Sequence, residues 1–151
     1  MVDILHRVGA KTPVGDMYAA LATLNGLSGW WTKDVTGESS LGGEIRFRFE
    51  HRGERAGEFT MKVLDLRSDE FVRWKVVEGP SEWIGTTVRF NLHEDDEYTI
   101  VDFAHEGWRE PVEFMHHCST RRGVFLLSLK QLVETGAGQP APQDVMVSNW
   151  Y

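Results

Sequence analysis

Charged and apolar residues alternate along several stretches in the middle of the chain. From Glu44 to Phe49 every second side chain is apolar, which is typical of a β-strand with one face in water. Similar runs follow as far as Glu106, each bounded by glycine, proline or acidic residues. The pattern predicts a sheet of six or seven strands, six of which can be placed, at residues 4–10, 44–49, 59–66, 71–77, 84–92 and 98–106. Because tight turns join successive strands, we expect the sheet to be antiparallel.

A helical period of three to four residues replaces this alternation in three places. Thr12-Pro13 is expected to begin a first helix that Asn25-Gly26 ends, and a second short helix follows at residues 27–31. A long helix is predicted at residues 111–135, with Gly136 as its C-cap. Only this helix is long enough to cross the sheet, and a twisted sheet curls around what it covers. The sequence therefore predicts an α+β fold in which a curved antiparallel sheet wraps around a long C-terminal helix.

Composition and charge narrow the range of functions. Of 151 residues, 41% are apolar and 26% charged, which is typical of one globular domain. A net charge of −7, without any run of lysine or arginine, argues against nucleic acid or a membrane surface as a partner. The single cysteine, Cys118, allows no intrachain disulfide, and we find neither a signal peptide nor an apolar run of membrane-spanning length. We expect a cytoplasmic protein.

The chain is expected to divide into one domain and a tail. The domain is predicted at residues 1–138 and the tail at residues 139–151. The segment Val145–Tyr151 is more apolar than a free terminus requires. We therefore expect the tail to dock either on its own sheet or on a second subunit, in which case the protein is a homodimer.

Five segments suggest a known family by their order and spacing. They are Leu27-Ser28-Gly29-Trp30-Trp31-Thr32, Gly42-Gly43-Glu44-Ile45-Arg46-Phe47, Val72-Arg73-Trp74, His105-Glu106-Gly107-Trp108 and Phe125-Leu126-Leu127-Ser128-Leu129-Lys130. Together they resemble the START-like (SRPBCC, helix-grip) superfamily, and within it the homologues of the activator of heat-shock protein 90 ATPase. The resemblance implies an internal cavity between the sheet and the long helix. It implies no single activity, because this superfamily includes carriers, cyclases, hydrolases and co-chaperone domains.

The inward faces of the predicted strands and helices supply the candidate binding residues. On composition alone these side chains would simply form a dry core, whereas the resemblance favours a cavity. The candidates are Trp30, Met61, Val72, Trp74, Val88, Phe90, Val101, Phe103, His105, Met115, Cys118, Arg122 and Phe125. Arg122 stands near the middle of the last helix, where the family commonly has an aromatic residue. An arginine facing the cavity would favour a carboxylate or a similarly polar group.

Three residues are candidates for moving a proton, namely His105, Glu106 and Arg122. The alternative for His105 is a hydrogen-bonded histidine that closes its strand. His116-His117 does not predict a metal site, because neighbouring helical residues point in different directions and no zinc spacing is present. Cys118 has no base at a suitable spacing, so a small buried apolar role is favoured over a nucleophile.

Three functions from different classes remain. We favour the binding of a small hydrophobic or aromatic molecule in the cavity, with no cofactor. The alternative is a cyclase- or hydrolase-like enzyme that uses the same cavity. The third is a co-chaperone-type module that binds another protein, which we rank lowest because true co-chaperones carry an additional region.

Overall fold

The computed structural model describes residues 1–150 and consists of one sheet with helices against it. The elements in chain order are β1 (Val2–Ala10), α1 (Val14–Ala22), α2 (Leu24–Trp30), β2 (Asp34–Gly37), β3 (Glu44–His51), β4 (Glu54–Arg67), β5 (Phe71–Glu78), β6 (Thr87–Asp95), β7 (Tyr98–Trp108) and α3 (Glu113–Thr135). The predicted α+β fold, with its curved antiparallel sheet, long C-terminal helix and two short helices after the first strand, is confirmed. Tyr151, the last residue of the predicted tail, lies outside the described residues.

The seven strands form one sheet in the order β1-β7-β6-β5-β4-β3-β2, and every neighbouring pair is antiparallel. Consecutive strands from β2 to β7 are neighbours, whereas β1 pairs with β7 at the far edge. The pattern placed only six strands and missed β2, which is four residues long and lacks buried side chains. A strand that short, with no buried face, leaves no alternation to detect.

The predicted boundary between the first two helices was wrong. The backbone N–H of Gly26 donates to the Thr23 hydroxyl at 2.9 Å, so Thr23 caps α2 and Asn25-Gly26 lies inside that helix. The predicted cap of α1 was wrong as well. Pro13 is the N-cap, and the Thr12 side chain is buried without a hydrogen-bond partner in the part of the chain that the structure describes.

The strand predicted at residues 84–92 begins later than expected, at Thr87. Residues 81–85 form turns, in which the backbone N–H of Trp83 bonds the Pro80 carbonyl and Gly85 adopts a φ of 87°. Ile84 is therefore 51% exposed, whereas Trp83 is buried. This loop carries a large aromatic side chain to the concave side of the sheet.

The long helix α3 ends where the sequence predicted. Gly136 is its C-cap with a φ of 91°, and its N–H donates to the Leu132 carbonyl at 2.8 Å. The buried residues of α3 join a continuous hydrophobic core with the inward residues of the strands and with α1 and α2. None of the helices within residues 1–150 is long and apolar enough to cross a membrane.

Candidate ligand-binding site

A cavity of about 380 Å³ lies between the sheet and the N-terminal half of α3. Its walls come from α3, from the paired strands β3 and β4, from the loop before β6 and from the residue after α2. The lining residues are Trp31, Phe49, Ala56, Gly57, Glu58, Phe59, Pro80, Trp83, Phe114, His117, Cys118, Arg121, Arg122 and Phe125. This volume falls in the range of small-molecule sites, which is about 300–1,000 Å³.

The helical wall of the cavity is one face of α3. Its lining residues recur at intervals of three and four positions, which places them in one stripe along the helix axis. They are Phe114, His117, Cys118, Arg121, Arg122 and Phe125. Residues 49 and 57 face this stripe from the sheet, where they are paired across β3 and β4.

Aromatic rings make up much of the remaining wall. The ring centroids of Phe59 and Trp83 are 5.0 Å apart, and those of Trp31 and Phe59 are 5.7 Å apart. The ring centroids of Phe49 and Phe125 are 6.3 Å apart, so rings from the sheet and from the helix are also in contact. A wall of this kind offers apolar area and ring edges to a flat apolar molecule.

Arg122 is the unusual residue of the cavity, because it is a cation that is only 4% exposed. Its guanidinium carbon lies 4.5 Å from the ring centre of Trp83, 5.2 Å from that of Trp31 and 6.0 Å from that of Phe103. No ion pair links it to a carboxylate of residues 1–150, and its Nε finds no hydrogen-bond partner there. Burial lowers the Arg122 pKa to about 10, so the group remains charged at neutral pH.

His105 holds one side of this guanidinium through a chain of hydrogen bonds. The hydroxyl of Thr86 donates to the Trp83 carbonyl, so its oxygen is left to accept from His105 Nε2 at 2.7 Å. His105 Nδ1 then carries the lone pair and accepts from Arg122 Nη2 at 3.2 Å. Burial, reinforced by the charge of Arg122, lowers the pKa of His105 to about 2. His105 is therefore a neutral acceptor that fixes the orientation of Arg122.

The other charged groups at the cavity have partners of their own. Arg121 pairs with Asp144 at 3.4 Å. Glu58 lies 3.3 Å from Arg48 and 3.8 Å from Arg55. The uncompensated charge among the lining residues is therefore that of Arg122.

The tail contacts the rim of the cavity. Its first part adds a parallel bridge between Thr32 and Ala141, in which the Ala141 N–H donates to the Trp31 carbonyl at 2.8 Å. Further along, His117 Nδ1 and the Ser148 hydroxyl are 3.0 Å apart, and the Trp150 ring lies 5.4 Å from the His117 ring. Residues 139–150 thus run from the end of α3 back to its N-terminal half.

The structure brings only part of the predicted set to the cavity. Cys118, Arg122 and Phe125 line it. His105 and Phe103 lie one layer behind and contact Arg122, while Trp30 stacks on Trp31 with centroids 5.1 Å apart. The core contains Met61, Val72, Trp74, Val88, Phe90 and Val101, all fully buried, and Met115, which is partly buried. Glu106 lies apart from these residues and pairs with Arg89 at 3.0 Å.

Several lining residues were missed by the sequence analysis. Phe114, His117 and Arg121 share the helical spacing of Cys118 and Arg122, so the stripe itself could have identified them. Trp83 lies in the loop between two strands, where no periodicity marks the buried side. Within residues 1–150 no group of three or more His, Cys, Asp or Glu side chains could hold a metal ion.

A sheet that grips a long helix and leaves a cavity beside it defines the helix-grip class of α+β proteins. The chain belongs to the family described as Activator of Hsp90 ATPase homolog 1-like protein, whose model matches residues 11–134. None of the curated proteins matches it.

Solved structures with the same fold include one from the same branch. The Aha1 dimer from Colwellia psychrerythraea is 38% identical, with a TM-score of 0.79 over 91% of this chain and 100% of that one. CalU16 from Micromonospora echinospora is 15% identical, with a TM-score of 0.72 over 93% of this chain and 71% of that one. SSP2350 from Staphylococcus saprophyticus is also 15% identical, with a TM-score of 0.74 over 91% of this chain and 95% of that one. At such low identity the last two show the fold alone.

Proposed function

We propose that the protein binds a small hydrophobic or aromatic molecule in the cavity between the sheet and α3. The observation that carries this proposal is a space of about 380 Å³ walled by six aromatic side chains and one buried cation. Pockets of this size, with mostly apolar walls and a few polar groups, are the usual sites of small ligands. At the opposite end of the same sheet–helix interface Leu21, Leu27 and Leu129 are fully buried in the core, so the fold itself does not impose the space.

An enzyme that uses the same cavity is the alternative, and the geometry supports it less. Both nitrogens of His105 are already engaged, one with Thr86 and the other with Arg122. Its pKa, lowered by burial, leaves it a weak base at neutral pH. Glu106 is tied to Arg89 and does not line the cavity. Cys118 lines the cavity, but burial raises the pKa of its thiol, which disfavours the reactive thiolate.

A protein-binding role of the co-chaperone type rests on the family description alone. A stoichiometric complex with the chaperone in a pull-down would support it, and its absence at micromolar concentrations would argue against it. We also propose a homodimer, because the relative that is 38% identical was solved as a dimer. A location in the cytoplasm is consistent with the one cysteine, which is buried as a free thiol.

Native mass spectrometry tests the binding proposal, with a cavity-filling variant as the control. The freshly purified full chain is measured under gentle and then denaturing conditions. We expect an added small-molecule mass that denaturation removes. In Gly57→Leu the added mass should be absent, because Gly57 lines the cavity and a Cβ placed there meets no atom within 4 Å.

Two results together would contradict the binding proposal. If the wild type shows only its own mass, and bicyclic aromatic compounds leave the tryptophan fluorescence of the chain unchanged, the proposed function is wrong.

A further inference from the structure

We propose that the ligand carries a carboxylate, which binds the guanidinium of Arg122 inside the cavity. This inference rests on the proposed function and names the chemical class of the ligand: an aromatic or hydrophobic monocarboxylate.

Arg122 brings a positive charge into the interior of the protein. A buried cation is expensive unless it is paired and hydrogen-bonded, and buried charges in proteins usually have a counter-ion. The nearby carboxylates of Glu58 and Asp144 are bound to other arginines. The aromatic rings around Arg122 offset part of the cost, but none of them supplies a negative charge. A carboxylate in the cavity would complete the pair.

The guanidinium of Arg122 is already oriented before any ligand binds. Its Nη2 is fixed by His105, which is held in turn by Thr86, whose hydroxyl donates to the Trp83 carbonyl. Its Nε carries a buried N–H without a partner among residues 1–150. A guanidinium that is held on one side and free on another is pre-organised for a planar anion, so little rotamer entropy is lost on binding. His105 is thus a positioning residue for the anchor.

The charge and shape of the lining select the kind of anion that fits. The lining offers one uncompensated positive charge, which matches a monoanion, whereas a phosphate dianion would need further charged donors. The rest of the wall is largely aromatic and suits a ring system attached to that anion. A hydrophobic monocarboxylate satisfies both requirements.

The test compares an acid with its neutral analogue of nearly the same shape. Calorimetric titration of the full chain with 2-naphthoate and with 2-naphthamide measures what the negative charge adds. In the wild type we expect the acid to bind about 10- to 100-fold more tightly than the amide. In Arg122→Met the two should bind with equal affinity, close to that of the amide in the wild type. Arg122→Lys keeps the positive charge but loses the paired N–H donors of the guanidinium. It should retain part of the preference for the acid over the amide.

The positioning role of His105 has its own readout. In His105→Gln we expect the preference for the acid to fall severalfold while the affinity for the amide stays unchanged, because only the orientation of Arg122 is disturbed. A general loss of packing would instead weaken both ligands equally and would contradict this role.

The outcomes separate this inference from the proposed function. Equal affinity of the wild type for acid and amide would overturn the carboxylate anchor and leave the cavity as a binding site. If neither compound binds and the native mass spectrum shows no added mass, the proposed function fails, and formate then tests the anchor alone. A saturable shift of the Arg122 Nε–H resonance with formate, larger than that of Arg121, whose guanidinium pairs with Asp144, would support the anchor, and no shift would overturn it.

Discussion

The two halves of α3 lie against the same sheet but meet it differently. In the C-terminal half Leu129 is fully buried, and Leu132 packs so closely on α2 that a Cβ added to Gly29 would come within 3.0 Å of it. In the N-terminal half the inward stripe faces a cavity of about 380 Å³ and includes a buried arginine. The same helix thus contributes packing at one end and a candidate site at the other.

The difference follows from what lies between the helix and the sheet. At the C-terminal end, α1 and α2 supply extra side chains that fill the space left by a curved sheet, including Met17, Leu21 and Leu27. At the N-terminal end the β3–β4 hairpin and the loop around Trp83 face the helix across the cavity, while His6 of β1 and Ser148 of the tail contact its flanks. The comparison teaches that close packing and the candidate binding site lie at different ends of one interface.

The largest expected effect comes from damaging the packed half. Leu129→Ala should lower the free energy of unfolding by about 2–5 kcal/mol, because it removes a fully buried side chain and leaves a cavity. Leu127→Ala is the matched control, since Leu127 lies on the same helix but is 60% exposed, and it should change stability by about 0.5 kcal/mol or less. Urea denaturation measures both. Equal losses in the two variants would contradict the account of the packed half.

An intermediate effect on stability is expected from lowering the pH, because His105 lies behind the cavity. The folded-state pKa of His105, about 2, lies below its reference value of 6.5, so the unfolded chain binds a proton that the native chain does not. The resulting loss of stability begins as pH falls through 6.5, with a slope of up to about 1.4 kcal/mol per pH unit, or about 1 kcal/mol between pH 6 and 5. His105→Gln should show a shallower slope between pH 6 and 5. The slope that remains in this variant should come from His6 and His117, because burial lowers the pKa values of both.

An unchanged slope in His105→Gln would show that His105 does not stay neutral in the folded protein. Chemical denaturation at several pH values measures this slope directly. The absolute stability of the variant does not enter the comparison.

The smallest effect on stability should come from filling the cavity. Gly57→Leu adds a side chain in open space and should change the free energy of unfolding by less than about 1 kcal/mol, while 2-naphthoate binding falls at least tenfold. Gly15→Leu on the exposed surface of α1 is the control and should leave binding unchanged. A variant at Gly57 that still binds with wild-type affinity would place the ligand elsewhere.

The sequence predicted the fold well because the alternation in the strands and the helical stripe both reflect burial on one face. It also brought Cys118, Arg122 and Phe125 into the candidate set, and these line the cavity. It did not distinguish them from Met61, Val72 or Trp74, which are packed in the core. Periodicity tells which face of an element is buried, but not whether the space across from it is filled. That depends on the packing of α1, α2 and the loops, which no local pattern records.

Trp83 and Phe49 were missed for related reasons. Trp83 is turned inward by the backbone bonds of its loop, and these bonds carry no hydrophobic period. Phe49 belonged to a predicted strand, but its place in the cavity depends on Gly57 opposite it, where no side chain fills the space. Both positions are set by contacts between elements.

The most direct test of the account is a crystal structure of the protein grown with 2-naphthoate. The account predicts the carboxylate within hydrogen-bond distance of the Arg122 guanidinium, the rings between Phe59, Trp83 and Phe125, and His105 still bound to Arg122. A cavity closed by rearranged side chains, or a ligand whose carboxylate points away from Arg122, would contradict it.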